Sequence, residues 1–150
     1  MEASHALRRF NHLQSEIAML YHNISVKLGL SDSAMQILYT VCCEGEGCPL
    51  AEICRLSALS RQTLNSSVRR LETLGLIYLQ VCRGRQKAVY FTDKGRALAN
   101  DTVYKIIDAE NRVFNSWPEN EREEYLRLTQ KYLTEFQSES KELTYEHKSF

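Results

Sequence analysis

Apolar residues recur at helical spacing along most of the chain. Between residues 4 and 28, Leu7, Phe10, Leu13, Ile17, Leu20, Ile24 and Leu28 stand three or four positions apart, which predicts one long amphipathic helix. Gly29 ends it, and Ser31 or Asp32 opens a second helix whose apolar set is Met35, Ile37, Leu38, Val41 and Cys42. Gly45 to Gly47 closes that helix. Cys48, Pro49 and Leu50 leave room for no more than a scrap of strand, and a short third helix is expected over 50–56.

The stretch 57–75 is the most informative. Ser60 is a good N-cap and Gly75 a good stop, while Leu64, Val68 and Leu71 form a narrow apolar stripe at i, i+4 and i+7. The opposite face carries Gln62, Ser66, Arg69 and Thr73, flanked by Thr63, Asn65 and Arg70. An ordinary solvent face carries more Glu and Lys; this mixture of donors and acceptors suits base edges and phosphates. Next come two short runs rich in β-branched and aromatic residues, 76–81 and 87–92, joined by a turn at 82–86 with Arg83 and Arg85 around Gly84. A long helix is expected from Thr92 to about Trp117, and Pro118 then starts a last helix over 118–140. The polar end, 141–150, reads as a frayed tail.

Composition agrees with a mainly helical domain. The 150 residues are enough for one ordinary core, and 6 Gly with 2 Pro are too few for a chain built of β-turns. No apolar run is long enough to span a membrane, and the first residues lack the apolar centre of a signal peptide, so a cytoplasmic location is expected. The net charge of zero conceals an uneven distribution. From Arg55 to Arg96 nine basic residues face only Glu72 and Asp93, a balance of +7; from Asp101 to His147 eleven acidic residues face six basic ones, a balance of −5. A basic middle points to a polyanionic partner. Read blandly, the same patch is only a solvated positive face.

Two helices, a polar-faced helix and a hairpin with a basic tip make a winged helix-turn-helix: mainly α with a small β-hairpin wing (α+β). The run at 59–77, LSRQTLNSSVRRLETLGLI, resembles the recognition-helix signature of the MarR (multiple antibiotic resistance regulator) family. Thr92-Asp93-Lys94-Gly95-Arg96-Ala97-Leu98 is similar to that family's helix start after the wing, and Gln36 with Leu38 also fits. The resemblance covers about 5–140. It implies a single domain over 1–150, with a DNA-binding lobe at 31–98 and dimerisation helices at 4–28 and 99–140. It also implies a sequence-specific regulator, a homodimeric repressor of a palindromic double-stranded operator released by a small-molecule effector. Ser60, Arg61, Gln62, Thr63, Asn65, Ser66, Arg69 and Arg70 would enter the major groove, and Arg83 and Arg85 would lie on the minor groove. The family's wing usually reads Asp-x-Arg; here Arg83 stands at the position of the Asp.

Tyr21, Tyr39 and Tyr104, with Phe114 and Trp117, are candidates to line a pocket for a small aromatic effector; at helical spacing such residues also serve as plain core. His12 and His22 could act as ligands or pH sensors, or simply be satisfied or exposed histidines. Among the five cysteines, Cys82 beside Arg83 is the first candidate for a redox thiol and Cys48 the second, with Cys42 and Cys54 on apolar faces. Peroxide-sensing relatives carry their reactive Cys in the first helix, where this chain has none. The cysteine spacing does not match a zinc site, and no metal or cofactor is expected. Phosphate-loop and nucleophile-elbow motifs are missing too, so the chain does not read as an enzyme. Two other readings stand beside the regulator: a thiol-based redox sensor, and a winged helix that binds protein and no DNA.

Overall fold

The computed structural model describes residues 3–145, with the side chains of Arg83 and of 142–145 outside the described set. The elements run α1 (His5–Lys27), α2 (Asp32–Glu44), β1 (Cys48–Pro49), α3 (Leu50–Ser57), α4 (Arg61–Thr73), β2 (Ile77–Val81), β3 (Lys87–Phe91), α5 (Asp93–Asp101), α6 (Val103–Asn115) and α7 (Glu119–Tyr145). The chain divides into two compact units, Met1–Lys105 and Ile106–Phe150.

In the first unit the core forms where the apolar stripes meet. Ile37, Leu38 and Val41 of α2, Ile53 of α3, and Leu64, Val68 and Leu71 of α4 are all buried. Each such side chain contributes about 1.5–3 kcal/mol by leaving water. Polar ties fix the helices in place: Gln36 Nε2 donates to the Ser57 carbonyl at 2.8 Å, and the Ser33 and Ser67 hydroxyls meet at 2.7 Å. The sheet has the order β1-β3-β2 and is antiparallel throughout, with Cys48 opposite Val89 and Ile77 opposite Phe91. The scrap of strand at Cys48 and Pro49 thus becomes the third strand of the wing sheet.

The expected long helix over 92–117 is broken. Thr102 leaves helical geometry at φ −134° and ψ −72°, so α5 ends at Asp101 and α6 starts at Val103. The Thr102 hydroxyl donates to the Leu98 carbonyl at 2.6 Å, a side-chain bond that competes with the backbone ladder. A β-branched hydroxyl residue inside a continuous apolar pattern hid this break.

In the second unit Phe114, Trp117 and Tyr125 form an aromatic cluster, with ring centroids 5.5–6.3 Å apart, around the turn into α7. The Arg122 guanidinium donates to Asn115 Oδ1 at 2.9 Å across the same turn. The tail expected to fray from 141 is helical through Tyr145; residues 146–150 lie outside the described residues.

Candidate nucleic-acid interface

Helix α4 is held from below and open above. Its buried side is Leu64, Ser67, Val68 and Leu71, and Ser60 caps its start by accepting from the Thr63 N–H at 3.1 Å. Arg61, Gln62, Asn65, Ser66, Arg69 and Arg70 are all exposed, and Thr63 is half-buried. The hydroxyls are partly spent within the helix: Ser60 and Thr63 meet at 2.8 Å, and Ser66 donates to the Thr63 carbonyl at 2.9 Å. The guanidinium and amide groups are not. No ion pair among the described residues engages Arg61, Arg69 or Arg70.

Not every basic residue of the middle stretch has this freedom. Arg55 forks onto Glu52, which holds that carboxyl below the usual carboxylate range. Arg96 pairs with Glu46, whose other oxygen accepts from the Phe91 N–H at 3.2 Å. Lys94 donates to the Leu74 carbonyl at 2.8 Å, capping the C-terminal end of α4. These three serve the scaffold. Sequence reasoning counted them with the others because charge alone does not tell a cap from a free cation.

The wing tip is a tight closure. The Cys82 N–H donates to the Gln86 carbonyl at 2.7 Å, and the Cys82 thiol donates to the same oxygen at 3.1 Å. Gly84 and Arg85 both adopt left-handed backbone, at φ 68° and 71°. For Arg85 that conformation costs about 1–2 kcal/mol. Arg85 is exposed at the tip, and Lys87 at the start of β3 is a further exposed cation that motif reading passed over. Tyr78 and Tyr90, directly opposite in register, stack at 5.5 Å and stiffen the hairpin. The site expectation for Arg83 falls on a side chain outside the described residues.

A groove of about 400 Å³ runs between α3 and α4, with Leu50, Ala51 and Cys54 on one wall and Arg61, Leu64 and Asn65 on the other. A separate cleft of about 410 Å³ lies between α1 and α2, and Tyr21 and Tyr39 line it together with Met35. Tyr104 does not line this cleft; it is hydrogen-bonded to the Cys42 thiol, and its own hydroxyl is pushed up by burial and by that neighbour. Phe114 and Trp117 belong to the cluster of the second unit. His12 and His22 sit beside Glu16 and Asp32, at 3.3 and 2.9 Å.

Of the two redox candidates, Cys48 is enclosed in the fold. It is buried in β1, where burial and the carboxylates of Glu44 and Glu52 push its thiol up, away from the reactive thiolate. Cys42 is pushed up to about 11 by burial. Cys82 is half-buried at the wing tip. No group of three or more His, Cys, Asp and Glu among the described residues could hold a metal ion, and no helix among them is long and apolar enough to cross a membrane.

A MarR family model matches residues 28–88, from the end of α1 through α4 to the start of β3. Solved structures share the fold over nearly the whole chain. S. aureus MepR in complex with DNA is 17% identical, with a TM-score of 0.71 over 89% of this chain and 96% of that one. NMB1585, a MarR family regulator from Neisseria meningitidis, is 20% identical, with a TM-score of 0.71 over 94% of this chain and 99% of its own. A MarR family regulator from Silicibacter pomeroyi is 23% identical, with a TM-score of 0.65 over 87% and 89%. No curated protein matches the chain significantly.

Proposed function

We propose that the protein is a sequence-specific DNA-binding regulator, from the match of residues 28–88 to the MarR family model and the fold the chain shares with solved regulators of that family. The observation that carries the reading is the contrast along α4. Its apolar stripe is fully committed to the core, while Arg61, Gln62, Asn65, Arg69 and Arg70 face outward with no ion pair among the described residues. Arg can fork onto guanine O6 and N7, and Asn onto adenine N6 and N7, so these are the side chains that read base edges. Arg85 and Lys87 on the wing then neutralise phosphates beside the major groove, which makes affinity strongly salt-dependent.

The protein acts as a homodimer on a palindromic operator. Two α4 helices related by a two-fold axis enter successive major grooves about 34–36 Å apart. Each unit leaves an apolar helix face for a second copy to cover. On α1 it includes Leu13, Ile17 and Leu20; on α7 it includes Leu128, Tyr132 and Phe136, all exposed in the single chain. A small effector in the cleft between α1 and α2 releases the operator by favouring a dimer with the wrong spacing between its α4 helices, and the protein thereby represses until the effector is present. The relative solved with DNA supports the DNA-binding part of this reading. Thiol sensing is the weaker alternative, since Cys48 and Cys42 are buried with their thiols pushed up.

Selection of random duplex DNA by the full chain tests the reading. An inverted repeat with half-sites about one helical turn apart is the expected result. A folded, dimeric protein that enriches no sequence would overturn it and leave a protein-binding winged helix in its place.

A further inference from the structure

The cleft between α1 and α2 has an uneven supply of hydrogen-bonding groups. Three of its donors are spent. His22 donates its Nδ1–H to the Asp32 carboxylate, at 2.9 and 3.1 Å from the two oxygens. The Ser25 hydroxyl donates to the Tyr21 carbonyl at 3.1 Å, and Gln36 Nε2 donates to the Ser57 carbonyl at 2.8 Å. Beside these bonds, Asp32, Oε1 of Gln36 and Oγ of Ser25 keep acceptor capacity among the lining residues. No Lys or Arg lines it, and Asp32 is its carboxylate. Two aromatic rings, Tyr21 and Tyr39, complete the walls, and aromatic rings attract cations through their electron-rich faces.

We propose that this cleft binds an organic cation: an aromatic or otherwise apolar molecule carrying a protonated amine. Asp32 supplies the counter-charge, Gln36 and Ser25 accept from the ammonium N–H groups, and Tyr21 and Tyr39 pack against the apolar body. A phenolate or aromatic carboxylate of the same size would meet the Asp32 carboxylate, beside which the lining offers His22, already bonded to it, and no Lys or Arg. The cleft volume of about 410 Å³ admits a molecule of one to three rings. The proposal rests on the effector reading only for its consequence on DNA; the binding itself stands apart from it.

The test is calorimetric titration of the full chain, without DNA, by 1-naphthylmethylammonium and by 1-naphthoate, which share a ring system and differ in charge. The ammonium is expected to bind at least about tenfold more tightly, which is about 1.4 kcal/mol. Asp32→Asn should abolish that preference, and Asp32→Lys should reverse it. Because Asp32 also stands in the first turn of α2, Tyr39→Leu provides an independent variant, expected to weaken the ammonium with the helical circular dichroism unchanged. Equal or tighter binding of naphthoate, an unaltered affinity in Asp32→Asn, or no binding of either probe at millimolar concentration would overturn the proposal. An ammonium that binds in this way yet leaves operator affinity unchanged would uphold the cation site and remove its role as the switch.

Discussion

Gly95 lies so close to Leu76 that a Cβ added to it would stand 1.8 Å from the Leu76 carbonyl oxygen. The start of α5 is therefore pressed against the end of the recognition segment, and three neighbouring bonds hold it there. The Thr92 hydroxyl accepts from the Gly95 N–H at 3.0 Å and donates to the Gly75 carbonyl at 2.6 Å, and Lys94 reaches the Leu74 carbonyl. The contact is with backbone, which cannot rotate away. Gly95→Ala is expected to destabilise the protein by about 3 kcal/mol, at the upper end of what overpacking costs, read as a lowered midpoint of urea unfolding. A variant with the wild-type midpoint would contradict the packing.

Arg85 separates charge from backbone strain. It sits at φ 71° on the wing tip, where glycine is the comfortable residue. Arg85→Gly is expected to raise stability by up to about 1 kcal/mol through relief of that strain. The same variant should bind every duplex more weakly and lower the slope of log affinity against log salt by about one. Anisotropy titrations at several salt concentrations, with thermal unfolding alongside, check both halves.

Cysteine chemistry should follow burial. At pH 8 iodoacetamide is expected to label the exposed Cys43 before the buried Cys42 and Cys48, as followed by peptide mass spectrometry. Burial raises the Cys42 thiol from 9.0 to about 11, so the folded state favours its neutral form. That contribution is fully present below pH 9 and is lost as pH rises toward 11. Stability should therefore fall over that window, and Cys42→Ala should flatten the fall. Rapid labelling of Cys42 in the folded protein would contradict its placement.

Much of this structure is legible in the sequence because its signals are local. The period of Leu64, Val68 and Leu71, the cap at Ser60 and the stop at Gly75 suffice to define α4 and its outward face. Gly95 in the Thr92–Leu98 motif is recognisable as a pattern, yet the reason for it, the Leu76 carbonyl, lies 19 residues away in sequence. What the sequence hides is pairing across the fold. Lys94 and Arg96 look like Arg61 and Arg69 until the Leu74 carbonyl and Glu46 are found beside them. Tyr104 looks equivalent to Tyr21 and Tyr39 until Cys42 claims it. The burial of Cys48 likewise follows from its place opposite Val89, a long-range register that no local pattern specifies.

The exposed stripes of α1 and α7 test the dimer. Ile17 and Leu128 are each about half-exposed in the single chain, so a charge at either leaves the fold of its own unit intact. Ile17→Lys and Leu128→Lys are expected to shift the protein toward monomer in light scattering and to weaken operator binding together with dimerisation. A full-strength dimer in both variants would place the two-fold interface elsewhere.

The central claim is that α4 reads base sequence, and Asn65 tests it most directly. It is exposed on the polar face, one turn from both Arg61 and Arg69. The measurement is the affinity of wild type and Asn65→Ala for the selected operator and for each of its single-base-pair variants. The variant is expected to lose about 1–3 kcal/mol on the intact site and to become indifferent to the identity of one base pair per half-site. An affinity that falls equally on all sequences, with every position still discriminated as before, would contradict base reading at that position of α4.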